Sequence, residues 1–244
     1  MNDIADNGIV LDFRAHGENH AVVNVLSAAQ GRMAGFVFGG QGRRQQPNVQ
    51  PGNLVNFTCV AKNPNQLGTM QLELLHNPSA GVLHDGARLA AIQFLCPLLA
   101  RALPEDHPYP NLFSHCAEFF QTLHTLDWAA RYVILEVQLL AELGYGLDFS
   151  RCAMTGHADV TQLAYVSPKT GRAATAEAAR GYEKNLLPLP QFLVNTVSAA
   201  LEDIRAGLHL TGYFLEKQIE ERKHPALWQI RTRLVNHFQN LQAA

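Results

Sequence analysis

The chain has 244 residues, enough for one large domain or two small ones to bury a core without metal or disulfide staples. Apolar residues make up 47%, which excludes disorder, and the 19 basic and 21 acidic residues nearly balance, so bulk charge argues for neither nucleic acid nor an acidic surface. With only 16% of residues charged, any electrostatic function is local.

Four cysteines, Cys59, Cys96, Cys116 and Cys152, lie far apart, and the opening MNDIADNG carries two acids and no basic segment. This pattern predicts a reduced, unexported, cytosolic chain. The longest strongly apolar run, Leu89 to Ala100, contains Pro97 and falls short of the about 18 residues a membrane span needs, so no membrane association is expected.

Short apolar-rich runs between turn signals predict five strands: Gly8 to Arg14, Ala21 to Ser27, Met33 to Phe38, Leu54 to Ala61 and Met70 to Leu75. The connections hold Gly17-Glu18-Asn19, Gln30-Gly31-Arg32, the stretch Gly39 to Gly52, and Asn63-Pro64-Asn65, all turn chemistry. Five strands within residues 1–78 predict a small barrel, of which the OB-fold is one type.

From about residue 79 the period becomes helical. Leu89, Ile92, Leu95 and Leu99 mark a helix bent at Pro97; Leu112, Cys116, Phe119, Leu123 and Leu126 mark a second; Trp128, Tyr132, Leu135 and Leu139 mark a third. After Pro190 the pattern returns in Leu201, Ile204 and Leu208, in Leu215 and Ile219, and in Leu227, Ile230, Leu234 and Phe238. Residues 148–188 lack a sustained period and read as an irregular insertion between the helical blocks 79–147 and 189–244.

Charge is unevenly spread. Residues 14–62 hold Arg14, Arg32, Arg43, Arg44 and Lys62 against Glu18 alone, a net +4, whereas residues 85–150 carry a net −5. Residues 151–184, with Lys169 and Arg172 among their bases, carry a net +2.

Two motifs invite chemistry. His16-Gly17-Glu18 matches the H-x-E of zinc deaminases, but no two cysteines stand three positions apart, and Gly17 and Asn19 favour a turn over a helix. Gly39-Gly40-Gln41-Gly42 lacks the Gly-Lys-Ser/Thr of a P-loop; followed by Arg43 and Arg44, it reads either as a grip for phosphates or as a solvated loop. No nucleophile, carboxylate pair or histidine cluster marks a catalytic centre, so no enzyme activity and no cofactor are expected.

Gly144-Tyr145-Gly146-Leu147-Asp148-Phe149-Ser150-Arg151-Cys152, leading into Ala153-Met154-Thr155-Gly156, and then Tyr165-Val166-Ser167-Pro168-Lys169-Thr170-Gly171-Arg172, resemble the insertion of the RecO family of bacterial recombination mediators. The resemblance spans nearly the whole chain: Gly8-Ile9-Val10-Leu11 with Arg14, Gly17-Glu18, Gly31, the Gly39 to Arg44 loop, Asn111-Leu112-Phe113, and Arg131 to Glu136 stand in the family's order and spacing. It implies an α+β architecture: an N-terminal five-stranded OB-fold barrel (1–78), a helical domain (79–147 and 189–244), and a zinc-finger-like insertion (148–188) in degenerate form. Family members that bind zinc carry two cysteine pairs here. In this chain Cys152 is a lone remnant, Thr155 stands at the second place, and Ser167 and Thr170 lie near the second pair, so no metal is expected.

The resemblance further implies a mediator that binds single- and double-stranded DNA and promotes annealing. With RecR it would help load RecA, an indirect partner, onto DNA coated by single-stranded-DNA-binding protein, whose C-terminal tail it contacts; its setting would be the cytoplasm, at the nucleoid. The residues expected to bind DNA are Arg14, Arg32, Arg43, Arg44, Lys62, Lys169 and Arg172. Phe36, Phe38 and Phe57 are candidates for base stacking, although core packing is the commoner fate of strand aromatics. For the partner tail, Arg131 lies one turn before Leu135 and could rim a pocket between helices; an ion pair with Asp127 is the competing reading. Two other classes stay open: a protein-protein adaptor with little intrinsic DNA binding, and a hydrolase hidden among the histidines.

Overall fold

The computed structural model describes residues 2–63, 66–195, 198–219 and 224–241. The turn expected at Asn63-Pro64-Asn65 lies in part outside them. The chain divides into two compact units, Met1–His124 and Thr125–Ala244.

The first unit opens with β1 (Asn2–His16), β2 (His20–Ser27), β3 (Gly31–Val37), β4 (Leu54–Ala61) and β5 (Gly68–His76), which close into a barrel in the order β1-β2-β3-β5-β4. All pairings are antiparallel except the short parallel contact of β3 with β5, and β1 closes the barrel by pairing with β4. This is the small barrel expected from the five apolar runs, and the OB-fold that the family resemblance implies. The first strand is longer than predicted because its polar opening, Asn2 to Asn7, is held by β4 through backbone bonds and needs no apolar pattern of its own. Inside the barrel pack Val10, Ala21, Val23, Val25, Val37, Val55, Phe57, Cys59, Met70 and Leu72. Opposite faces of one strand therefore have different fates: Val23 points in, while Val22 and Asn24 belong to the outer face.

Helix α1 (Gly86–Ala102) starts where the Asp85 carboxylate accepts the amides of Ala87 and Arg88, each at 3.0 Å, and packs on β1 and β2. It tolerates Pro97 inside its span. Helix α2 (Pro110–Thr122) also packs on β1. The pattern that predicted a helix reaching Leu126 overshoots: α2 ends at Thr122 and Leu126 is 98% exposed. Asp127, which accepts from Thr125 and starts the next helix, belongs to a turn, and the shared 3-4 spacing is fortuitous there.

The second unit holds α3 (Trp128–Glu142), α4 (Leu201–Gln218) and α5 (Pro225–Asn240), with α3 and α5 each packed against α4. The two apolar clusters read separately at Leu201–Leu208 and Leu215–Ile219 fall on one helix, α4, with Ile219 as the residue that caps its end. Residues between α3 and α4 are more ordered than an irregular insertion: β6 (Leu163–Val166), β7 (Ala173–Thr175) and β8 (Leu187–Pro188) make a small sheet in the order β7-β6-β8. These strands are two to four residues long, too short for alternation to show in sequence. No described helix is long and apolar enough to cross a membrane.

Candidate nucleic-acid interface

The outer face of β1, β2 and β3 carries two cross-strand rows near one end of the barrel. Arg14 pairs with Val22, which pairs with Phe36; two residues on, His16 pairs with His20, and Phe38 follows β3 beside them. Directly paired residues share a face, so Arg14, Phe36, His16, His20 and Phe38 are brought together. Gly17, with φ of 61°, makes the tight turn that lets His16 and His20 face each other. This turn, not a helix, is where the H-x-E sequence lies.

The basic loop grows out of this end. Gly39 takes φ of 67°, and Gly40 lies so close to β2 that an added Cβ would stand 2.6 Å from that of Ala21. The Gln41 amide donates to the Asn19 carbonyl at 3.0 Å and its side chain donates to the His20 carbonyl at 2.8 Å. The Gln45 and Gln46 amides then donate to the Gly42 carbonyl, at 3.0 and 2.8 Å, closing a turn around Arg43 and Arg44. Farther along, Val49 is buried in the barrel core, and the Asn53 side chain donates to the carbonyls of Pro47 and Asn48. The loop is thus anchored on both sides of Arg43 and Arg44, which are exposed. Among the described residues no acid pairs with Arg14, Arg43 or Arg44.

The other expected positions divide. Lys62 is exposed at the end of β4. Arg32 is engaged inside the first unit: its Nε donates to the Leu103 carbonyl at 2.7 Å and its guanidinium pairs with Glu105 at 3.0 Å. Of the three phenylalanines, only Phe57 is a core residue; Phe36 is half-buried and Phe38 is 61% exposed, contrary to the expectation for strand aromatics. The reason is register, since Phe57 falls on the inner face of β4 and Phe36 on the outer face of β3. In the second unit, Arg131 Nε donates to Asp127 at 2.7 Å, the ion pair weighed from sequence, and Leu135 is buried.

Lys169 and Arg172 are exposed on a tight turn in which the Gly171 amide donates to the Ser167 carbonyl and the Ser167 amide to the Arg172 carbonyl. A matching turn follows Cys152, whose amide donates to the His157 carbonyl while Gly156 donates back to the Cys152 carbonyl. Zinc does not fit these turns: Cys152 is the one thiol there, His157 Nδ1 already accepts the Asp159 amide, and no group of three potential ligands exists among the described residues. Backbone bonds join the turns directly, from Ala153 to Ala173 and from Ala173 to Asp148. Cys152 takes the Thr175 amide on its sulfur at 3.5 Å. Burial acts to push its thiol up, but the Thr155 hydroxyl and the amides of Thr175, Thr155 and Met154 prevail and bring it down to about 6.

Family comparison agrees with this geometry. Residues 1–78 match the model described as recombination protein O N terminal, and residues 83–227 the one described as recombination protein O C terminal. The chain is 45% identical to the DNA repair protein RecO of Rhodospirillum centenum, over 96% of this chain and 93% of that protein. It is 39% identical to the DNA repair protein RecO of Rhodospirillum rubrum over 100% of this chain and 99% of that one, and 41% identical to that of Caulobacter vibrioides over 87% of each. With both family regions present in order on an OB barrel and a helical unit, the chain belongs to the RecO family of noncatalytic DNA repair and recombination mediators.

Proposed function

We propose that this chain binds single- and double-stranded DNA through phosphate contacts made by Arg14, Arg43 and Arg44, with Lys62 on the barrel and Lys169 and Arg172 on the insertion as further contacts. In this reading it promotes annealing and, with RecR, helps load RecA onto DNA covered by single-stranded-DNA-binding protein, whose tail carboxylate would exchange with Asp127 for Arg131; it acts in the cytoplasm at the nucleoid. The observation that carries DNA binding is the twice-anchored loop, which holds two unpaired guanidiniums outward at little further entropic cost on binding. Arg32 is left out of the contact set because Glu105 and the Leu103 carbonyl already occupy it.

The test is a salt titration with oligonucleotides of unrelated sequence. Arg43→Ala with Arg44→Ala is expected to weaken binding to all of them alike and to flatten the plot of log affinity against log salt by about 0.7 for each single-strand phosphate that is no longer neutralised. An unchanged affinity and slope would remove the loop from the interface, and a parent chain that binds no DNA at low salt would favour the adaptor.

A further inference from the structure

The four rings beside the basic loop form one continuous surface. His16 meets Phe36 with centroids 5.4 Å apart, Phe36 meets Phe38 at 4.9 Å, and His20 touches both, at 5.3 and 5.4 Å. None of the four is buried, and Phe38 at 61% exposure contributes nothing to the barrel core. Exposed aromatic clusters of this kind carry an uncompensated hydration cost and mark contact surfaces. The cluster is also held in place, since the Gly39 amide donates to His20 Nδ1 at 3.1 Å and Gln41 ties the adjoining loop to the hairpin.

What could cover it is constrained by its rim. Arg14 lies in the next cross-strand row, Arg43 and Arg44 follow in the loop, and Glu18 at the hairpin tip is the one acid within residues 14–62. An occupant with flat apolar faces joined by closely spaced negative charges satisfies both features. Resting on the DNA-binding reading above, we propose that His16, His20, Phe36 and Phe38 form a stacking platform for the unpaired bases of single-stranded DNA. Every base offers a π-face, so such a platform is tolerant of sequence, as phosphate contacts are. It differs from them in reading strand state: bases in a duplex stack on one another and are out of reach, whereas phosphates are exposed in both forms. The arginines would hold either form, and the rings would add affinity for the single strand alone.

The experiment compares the full-length parent with Phe38→Ala and Phe38→Trp by fluorescence anisotropy on three ligands of equal length: oligo-dT, an abasic strand, and a duplex. Phe38→Ala is expected to weaken oligo-dT binding about tenfold, to leave the abasic strand and duplex unchanged, and to leave the salt slope unchanged. Phe38→Trp should restore the oligo-dT affinity, and 2-aminopurine placed in the strand should be quenched by the parent and not by Phe38→Ala. Equal affinity of Phe38→Ala and parent for oligo-dT overturns the platform, as does an equal loss on all three ligands. A loss seen only for an acidic apolar peptide would assign the surface to a protein instead. If Arg43→Ala with Arg44→Ala weakens all DNA while Phe38→Ala weakens none, the platform fails and the phosphate reading stands.

Discussion

At the scale of single residues, Cys152 shows how local hydrogen-bond donors outweigh burial. Its sulfur is surrounded by a hydroxyl and backbone amides that favour the thiolate. A thiol depressed in the folded state contributes stability that is complete above its unfolded pKa of about 8.5 and disappears as the pH falls through the folded value of about 6. Thiolate absorbance at 240 nm should therefore titrate with a midpoint of about 6 and be missing from Cys152→Ser, and the stability lead of the parent over that variant in urea should shrink from pH 9 to pH 6. At Cys96 and Cys116 burial prevails, over the Gly52 amide in the case of Cys96, so both thiols are pushed up and should stay protonated throughout. Arg131 poses a different question, because its partner Asp127 is exposed and replaceable. Arg131→Ala is expected to weaken binding of a tail peptide ending in an apolar residue by about 1.5–3 kcal/mol, the scale of a hydrogen bond to a charged group, with DNA affinity unchanged. Equal peptide affinity would leave Arg131 as a surface pair.

Between elements, a buried ionic network links α3, α4 and α5. Glu136 on α3 is fully buried and receives the Arg231 guanidinium of α5 on both oxygens, at 3.2 and 3.0 Å, together with the Thr211 hydroxyl of α4. Arg231 also donates to the Leu208 carbonyl at 2.8 Å. Room for the guanidinium comes from Gly212, where an added Cβ would stand 2.5 Å from Arg231 Nη1. Removing one charge leaves the other buried and uncompensated, so Glu136→Gln is expected to destabilise the chain by about 3–5 kcal/mol in urea unfolding. Replacing Glu136 and Arg231 together by apolar residues of similar volume should recover most of that loss. The helical spacing in this region exposed the apolar stripe of Trp128, Tyr132, Leu135 and Leu139, all of which are buried. It said nothing of Glu136 or Arg231, because a charged residue in a periodic pattern reads as solvated until its partner, 95 positions away, is brought to it.

For the molecule as a whole, the near-zero charge conceals a net +4 over residues 14–62, and among the described residues no group of three potential zinc ligands exists. Thermal unfolding should accordingly be unaffected by chelator, and elemental analysis should find no stoichiometric zinc; a bound zinc or a chelator-sensitive melt would show that ligands come from elsewhere in the chain. Composition, period and turn chemistry were sufficient for a small five-stranded barrel and for the helices, since each depends on local spacing of apolar and turn-forming residues; that the barrel is an OB-fold came from the family resemblance. The basic loop was legible for the same reason, as glycines and arginines contiguous in sequence. Which arginines remain available was a tertiary matter: Arg32 and Arg14 look alike in sequence, yet Glu105 and the Leu103 carbonyl meet only Arg32. Phe57 and Phe38 parted in the same way, because side chains alternate between the two faces of a sheet and only the closing of the barrel determines which face is the inside.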